Sequence, residues 1–196
     1  MIRGLGTCVL LICAAGAMAA PVQDDQSRYV VKTGSKIEFH ATSTFAKVVG
    51  VFHSWEANMK MPADKFTDAS LVLEIDASSV ATGSGLRDKE VKGKNFFSVQ
   101  EHPQIRFASK SISADATPTK YQMVGELTIR GITQPVAVSI TLLRQDDGHE
   151  WVDGSFSFNR RDFGITHNLP FDKIANTVLV QFHLDTVNST APVAQN

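Results

Sequence analysis

Residues 78–107 read SSVATGSGLRDKEVKGKNFFSVQEHPQIRF. Just before this stretch, Leu71, Leu73 and Ile75 alternate with Val72, Glu74 and Asp76, the period-two pattern of a half-buried strand. Just after it, Ile105 and Phe107 point one way and Arg106 the other. The segment between is too polar for core and too long for a hairpin turn. Connections of this length inside a compact domain carry function or structure of their own. Gly83 and Gly85 loosen the exit from the first strand, Leu86–Lys92 is predicted as a short helix, and Gly93 ends it. Phe96 and Phe97 then return to apolar surface. The stretch reads as a lid or plug between two halves of a β structure.

Working outward, alternation continues on both sides. Ile37 and Phe39 alternate with Glu38 and His40. A long run from Val51 to Met61 sets Trp55, Ala57, Met59 and Met61 against Ser54, Glu56, Asn58 and Lys60. Tyr121, Met123, Leu127 and Ile129 share a face, and so do Val136, Val138, Ile140 and Leu142 after a turn at residues 131–135. Phe156 and Phe158 follow an Asp146-Asp147-Gly148 turn, and Val178, Val180, Phe182 and Leu184 form a last strand. This pattern, with turn signals about every ten residues, predicts an all-β antiparallel sandwich or barrel.

The N-terminus bears on compartment. Arg3 precedes an apolar run over Leu5–Ala19, and Ala17-Met18-Ala19 fits an A-x-A cleavage site. The run is short for a membrane span and lacks a basic stop-transfer flank, so residues 1–19 are expected to be a cleaved signal peptide. Lipidation at Cys13 is disfavoured by the bulky Ile12 before it. Cys8 and Cys13 are the two cysteines, so the exported chain would have no disulfide, thiolate metal site or cysteine nucleophile. The remaining 177 residues suffice for one domain with a substantial interior. We expect a flexible stretch at 20–27, a domain at 28–187 and a flexible tail at 188–196. With a net charge of −1 for the whole chain, no basic excess points to nucleic acid.

Glu56, Lys60, Glu74, Glu126 and Arg130 on the outward faces argue against an outer-membrane barrel, and no membrane-spanning segment is expected. Catalytic patterns are sparse. The six histidines show neither H-x-H nor H-E-x-x-H spacing, so no metal is expected. Ser84 between two glycines is flexible loop, not a strained nucleophile turn. Asp162 and His167 could meet a serine in space, which keeps a hydrolase as a minor alternative.

Three blocks together resemble the YceI-like lipid/polyisoprenoid-binding family. The first runs from Ser79-Val80-Ala81-Thr82 through Leu86-Arg87-Asp88 and Phe96-Phe97 to His102-Pro103-Gln104-Ile105-Arg106-Phe107. The second is Gly125–Val136, similar to a G-x-L-T-x-x-G-V-T-x-P-V segment, and the third is Arg161-Asp162-Phe163-Gly164-Ile165. The likeness covers roughly residues 28–187. It implies a lipocalin-like antiparallel barrel of about eight strands with an elongated apolar pocket, in a periplasmic or secreted protein that binds an isoprenoid lipid or other long-chain amphiphile without covalent chemistry or cofactor. The chain departs from the family in carrying Glu90-Val91 where many members have His-Leu, and Thr42-Ser43-Thr44 where a basic residue or histidine is common. These departures bear on the head group and leave the fold reading intact.

The candidates for an apolar tunnel are Phe39, Trp55, Met59, Leu73, Phe96, Phe97, Phe107, Met123, Ile140, Phe158 and Phe182. Twelve phenylalanines against two tyrosines favour walls that need no hydrogen-bond partner. Arg87 and Lys89 are the candidates for an anionic head group. The alternative is an exported structural or stress-related interaction protein with a packed core and no specific ligand. Either could be a homodimer.

Overall fold

The alternating segments form ten antiparallel strands and one α-helix among the described residues, which are 27–62, 65–144, 149–168 and 171–188 of a computed structural model. The expected signal peptide, the Asp146-Asp147-Gly148 turn and the tail after Asn188 lie outside the described residues.

The strands are β1 (Ser27–Thr42), β2 (Lys47–Phe52), β3 (Trp55–Lys60), β4 (Ser70–Asp76) and β5 (Val80–Ala81), then α1 (Gly85–Lys92). After the helix come β6 (Gln104–Ala114), β7 (Lys120–Ile129), β8 (Ile132–Arg144), β9 (His149–Asn159) and β10 (Thr177–Asn188). The sheet order is β10-β9-β8-β7-β6-β4-β3-β1-β2-β5, and β10 also pairs with β1. Because β1 pairs with β10 and, through Ser27 and Arg28, with β3, eight of the strands form a continuous ring. The short β2 and β5 extend the wall beside the far half of β1. Ring closure removes the exposed edges that an open sheet would leave.

Inward residues match the sequence alternation. Leu71, Leu73 and Ile75 are buried, as are Val136, Val138, Ile140 and Leu142. Two segments differ from expectation. The run from Val51 to Met61 is two strands, separated at His53-Ser54, and β2 starts earlier, at Lys47. The expected 131–135 turn is only Arg130-Gly131, whose φ values of 53° and 72° suit a two-residue hairpin. Ile132–Pro135 belongs to β8, pairing with β7 where β9 does not reach. Pro135 fits there because the β9-facing edge needs no N–H at that position.

The two ends of the ring are built differently. At the lower end, Met59, Met61, Phe66 and Met123 pack the interior, and Phe66 meets Tyr121 edge-on at 4.7 Å between ring centres. Arg28 starts β1 at that end and is buried, with Nη1 2.9 Å from Glu150 Oε2. Arg144 Nε lies 2.9 Å from the other oxygen of the same carboxylate. The upper end carries the β1–β2 turn, the connection from β5 to β6, the β7–β8 hairpin and the loop from β9 to β10.

Candidate functional site

Three phenylalanines on three strands lie against glycines of the neighbouring strand. A Cβ on Gly50 would sit 2.3 Å from the Phe39 ring, one on Gly125 2.5 Å from Phe107, and one on Gly154 2.0 Å from Phe182. Phe39 pairs directly with Gly50 and Phe182 with Gly154, while Gly125 sits one step diagonally from Phe107. Glycine lets each ring lie against the wall instead of projecting into the lumen. The interior therefore keeps space that ten strands of large side chains would otherwise fill.

That space is a cavity of about 350 Å³ opening toward the upper end. Phe39, Leu73, Phe96, Phe97, Phe107, Phe158 and Phe182 line it, bringing together seven of the eleven apolar candidates. Trp55, Met59, Met123 and Ile140 are buried but stand outside the lining, in the packed wall and floor. Lining residues outside the eleven tunnel candidates include Val48, Phe52, Ile165 and Ile174. No apolar alternation marks Ile165 or Ile174, because both sit in loops.

The 82–103 segment closes part of the mouth. Asp88 organises its start: Oδ1 accepts from the Thr82 backbone N–H at 2.7 Å and from the Thr82 hydroxyl at 2.6 Å. The hydroxyl bond first, and the backbone bond with it, hold the Asp88 carboxyl below the ordinary aspartate range. One face of α1 brings Arg87, Glu90 and Val91 to the cavity. After Gly93 the chain folds back, the N–H of Phe97 bonding to Val91 O at 3.0 Å and that of Ser98 to Gly93 O at 2.9 Å. The fold-back sets Phe97 edge-on to Phe39 at 5.9 Å. Arg130 fastens it from the β7–β8 hairpin, donating to Lys94 O at 2.8 Å and Phe96 O at 2.5 Å.

Four charged residues line the cavity: Arg87, Glu90, Arg160 and Asp172. Arg160, 3% exposed, is committed to the loop behind it. Its Nε donates to Ala175 O, its Nη1 to Ile165 O and His167 O, and its Nη2 to Asn168 Oδ1 and Ile174 O, all between 2.6 and 3.0 Å. Burial pushes its pKa down, helped by neighbouring Arg161. With its donors occupied, this guanidinium shapes the mouth without offering a hydrogen bond to a guest. Arg87 makes one long contact, 3.4 Å from Nη1 to Thr82 O, and is the lining cation with donors to spare. Lys89 is exposed and absent from the lining. Among the described residues, no group of three or more metal-binding side chains comes together, and no helix is long and apolar enough to cross a membrane.

Residues 29–186 match the YceI-like domain family. A UPF0312 protein of Shewanella denitrificans is 26% identical over 171 residues, covering 82% of this chain and 88% of the relative. Another UPF0312 protein, from Pectobacterium atrosepticum, is 28% identical over 173 residues, covering 83% and 85% respectively. Among solved structures, Burkholderia cenocepacia BcnA superposes with a TM-score of 0.73 at 28% identity, covering 80% of this chain and 98% of that one. A polyisoprenoid binding domain from Saccharophagus degradans, implicated in plant cell wall breakdown, gives a TM-score of 0.61 at 15% identity, over 84% and 98%. At that identity the likeness concerns the fold.

Proposed function

The chain belongs to the YceI-like domain family, and on that premise we propose that it is a non-catalytic carrier, binding a polyisoprenoid or similar long-chain amphiphile in the cavity of its barrel. The observation that carries the proposal is the cavity of about 350 Å³, kept open where Phe39, Phe107 and Phe182 lie flat over glycines. A packed-core interaction protein would have no use for glycines at three such positions. The polyisoprenoid binding domain of similar fold lends the ligand class support.

Binding would consist of burying an apolar tail among Leu73, Phe97, Phe107, Phe158 and Phe182, with the head at the upper end near Arg87. Each five-carbon unit gains roughly 4 kcal/mol gross, at about 0.8 kcal/mol per buried carbon. Lost chain freedom and the cost of association remove a large share. Cavity depth would thus set preferred chain length, and Arg87 would favour a head group that accepts hydrogen bonds. Export by the N-terminal segment to the periplasm or beyond, with a folded domain spanning 28–187, completes the proposal.

Prenyl alcohols of increasing length, titrated against a bound fluorescent apolar probe, test it. The expected result is displacement that strengthens with each unit and then levels off when the cavity is full. Displacement independent of length, or none, would refute it.

A further inference from the structure

The three most exposed large apolar side chains of the described residues share one end of the barrel. Phe171 is 96% exposed, Leu86 83% and Phe45 76%, whereas other exposed large apolar residues, such as Val124 and Trp151 on the outer wall, are near 40%. Phe45 lies in the β1–β2 turn between Ser43 and Ala46, which line the cavity; Leu86 precedes the lining residue Arg87; Phe171 precedes the lining residue Asp172. None of the three lines the cavity itself. Backbone bonds hold two of these loops together, from Thr44 N–H to Lys173 O at 3.0 Å and from Ala175 N–H to Thr42 O at 2.8 Å. On α1, Arg87, Glu90 and Val91 face inward, Lys89 lies opposite them, and Leu86 stands at the flank of that face with its side chain in the open.

Two further features accompany the apolar tips. Phe171 has a φ of 62°, the left-handed region that a bulky residue avoids, and in that conformation its side chain is almost wholly exposed. The mouth loops and their flanks also expose Lys47, Lys89, Lys94, Arg161 and Lys173, against Asp76, Glu101 and Asp162, in a chain whose net charge is −1. Projecting apolar side chains ringed by cations match a bilayer interface bearing anionic head groups.

The geometry points to the rim of the mouth as a membrane-docking surface, with Phe45, Leu86 and Phe171 entering the interface of an anionic lipid bilayer and the flanking lysines meeting its head groups. This rests on the carrier reading above, since a long-chain amphiphile resides in membranes and a carrier must meet it there. Docking mouth-first would let a tail pass from bilayer to barrel without crossing water.

The test places a reporter at the rim, Phe171→Trp, and mixes the full chain with phosphatidylcholine vesicles containing about one-third phosphatidylglycerol, brominated in their acyl chains. The proposal predicts a blue shift of the added emission and quenching by bromine. Adding Phe45→Ser and Leu86→Ser to the reporter chain should weaken partitioning about tenfold or more. A reporter neither shifted nor quenched overturns the proposal, even where the vesicles sediment with protein through another segment. Farnesol titrated in vesicle-free buffer separates the two readings. Farnesol binding with a silent reporter removes docking and leaves the carrier; a quenched reporter without farnesol binding supports docking and removes the carrier.

Discussion

Gly154→Ala tests the reason the barrel is hollow. Its added Cβ would lie 2.0 Å from Phe182 Cζ and 2.5 Å from both Cε atoms, with no backbone atom among the nearest neighbours. Carbon atoms in contact need roughly 3.5 Å, so the ring must retreat by about 1.5 Å or more. The wall blocks one direction and the cavity lies in the other. Moving into free space limits the stability cost to about 1–2 kcal/mol. The ring would then occupy room for up to one five-carbon unit, worth roughly 4 kcal/mol of gross burial; after the ordering and association costs this becomes a loss of about ten- to a hundredfold in affinity for a ligand long enough to fill the cavity. Short ligands should lose much less. Gly154→Ala with Phe182→Ala should restore binding by removing the displaced ring. Probe displacement by long and short prenyl alcohols, alongside thermal unfolding, measures these effects. Unchanged long-ligand affinity in folded Gly154→Ala, or no rescue in the double variant, would refute the reasoning. The same substitution at Gly125 is less clean, because its Cβ would also approach Ala108 O at 2.7 Å.

Other predictions address the mouth. Arg160→Ala should destabilise the fold by about 2 kcal/mol or more in denaturant titration, since the buried Ile165 carbonyl and three half-buried loop carbonyls lose a charged donor; a loss below about 1 kcal/mol would mean that water replaces the guanidinium readily. Asp88 has a lowered carboxyl pKa, so its contribution is full at neutral pH, starts to fade as pH falls through the ordinary aspartate range and is gone below its own lowered value. The protection factor of the Thr82 amide, its exchange rate relative to the intrinsic rate at each pH, should fall over that acidic window in the wild type, and Asp88→Asn should remove most of this pH dependence. Arg87→Ala should weaken a prenyl phosphate more than the matching prenyl alcohol; equal losses would assign Arg87 to holding Thr82 O.

Strand alternation was legible because the barrel buries one face of nearly every strand, so Leu71, Leu73 and Ile75 advertise their side without any knowledge of partners. The helical plug was legible from glycines and charge: Gly93 closes the predicted helix, which begins at Gly85. Which buried residues face the cavity was not legible. Ile140 and Phe158 look alike in sequence, yet one packs the wall and the other lines the cavity, a distinction set by height along the barrel. The glycine–phenylalanine pairs were equally hidden, because Gly154 and Phe182 meet only through the β9–β10 register. Arg160 gave no sign of burial beside the charged Arg161-Asp162, since its acceptors are loop carbonyls that carry no sequence signature. Lys89, three residues from Leu86 on a helix whose inward face is set by Arg87, Glu90 and Val91, points away from the cavity for the same geometric reason.

The central claim is that the cavity holds a long apolar guest. Native mass spectrometry of the protein purified without detergent from its own cells, followed by organic extraction, tests it most directly. The account predicts one long-chain, predominantly hydrocarbon species per chain, whose head group is released in the extract. A mass equal to the polypeptide alone, unchanged after incubation with prenyl alcohols and prenyl quinones, would contradict it.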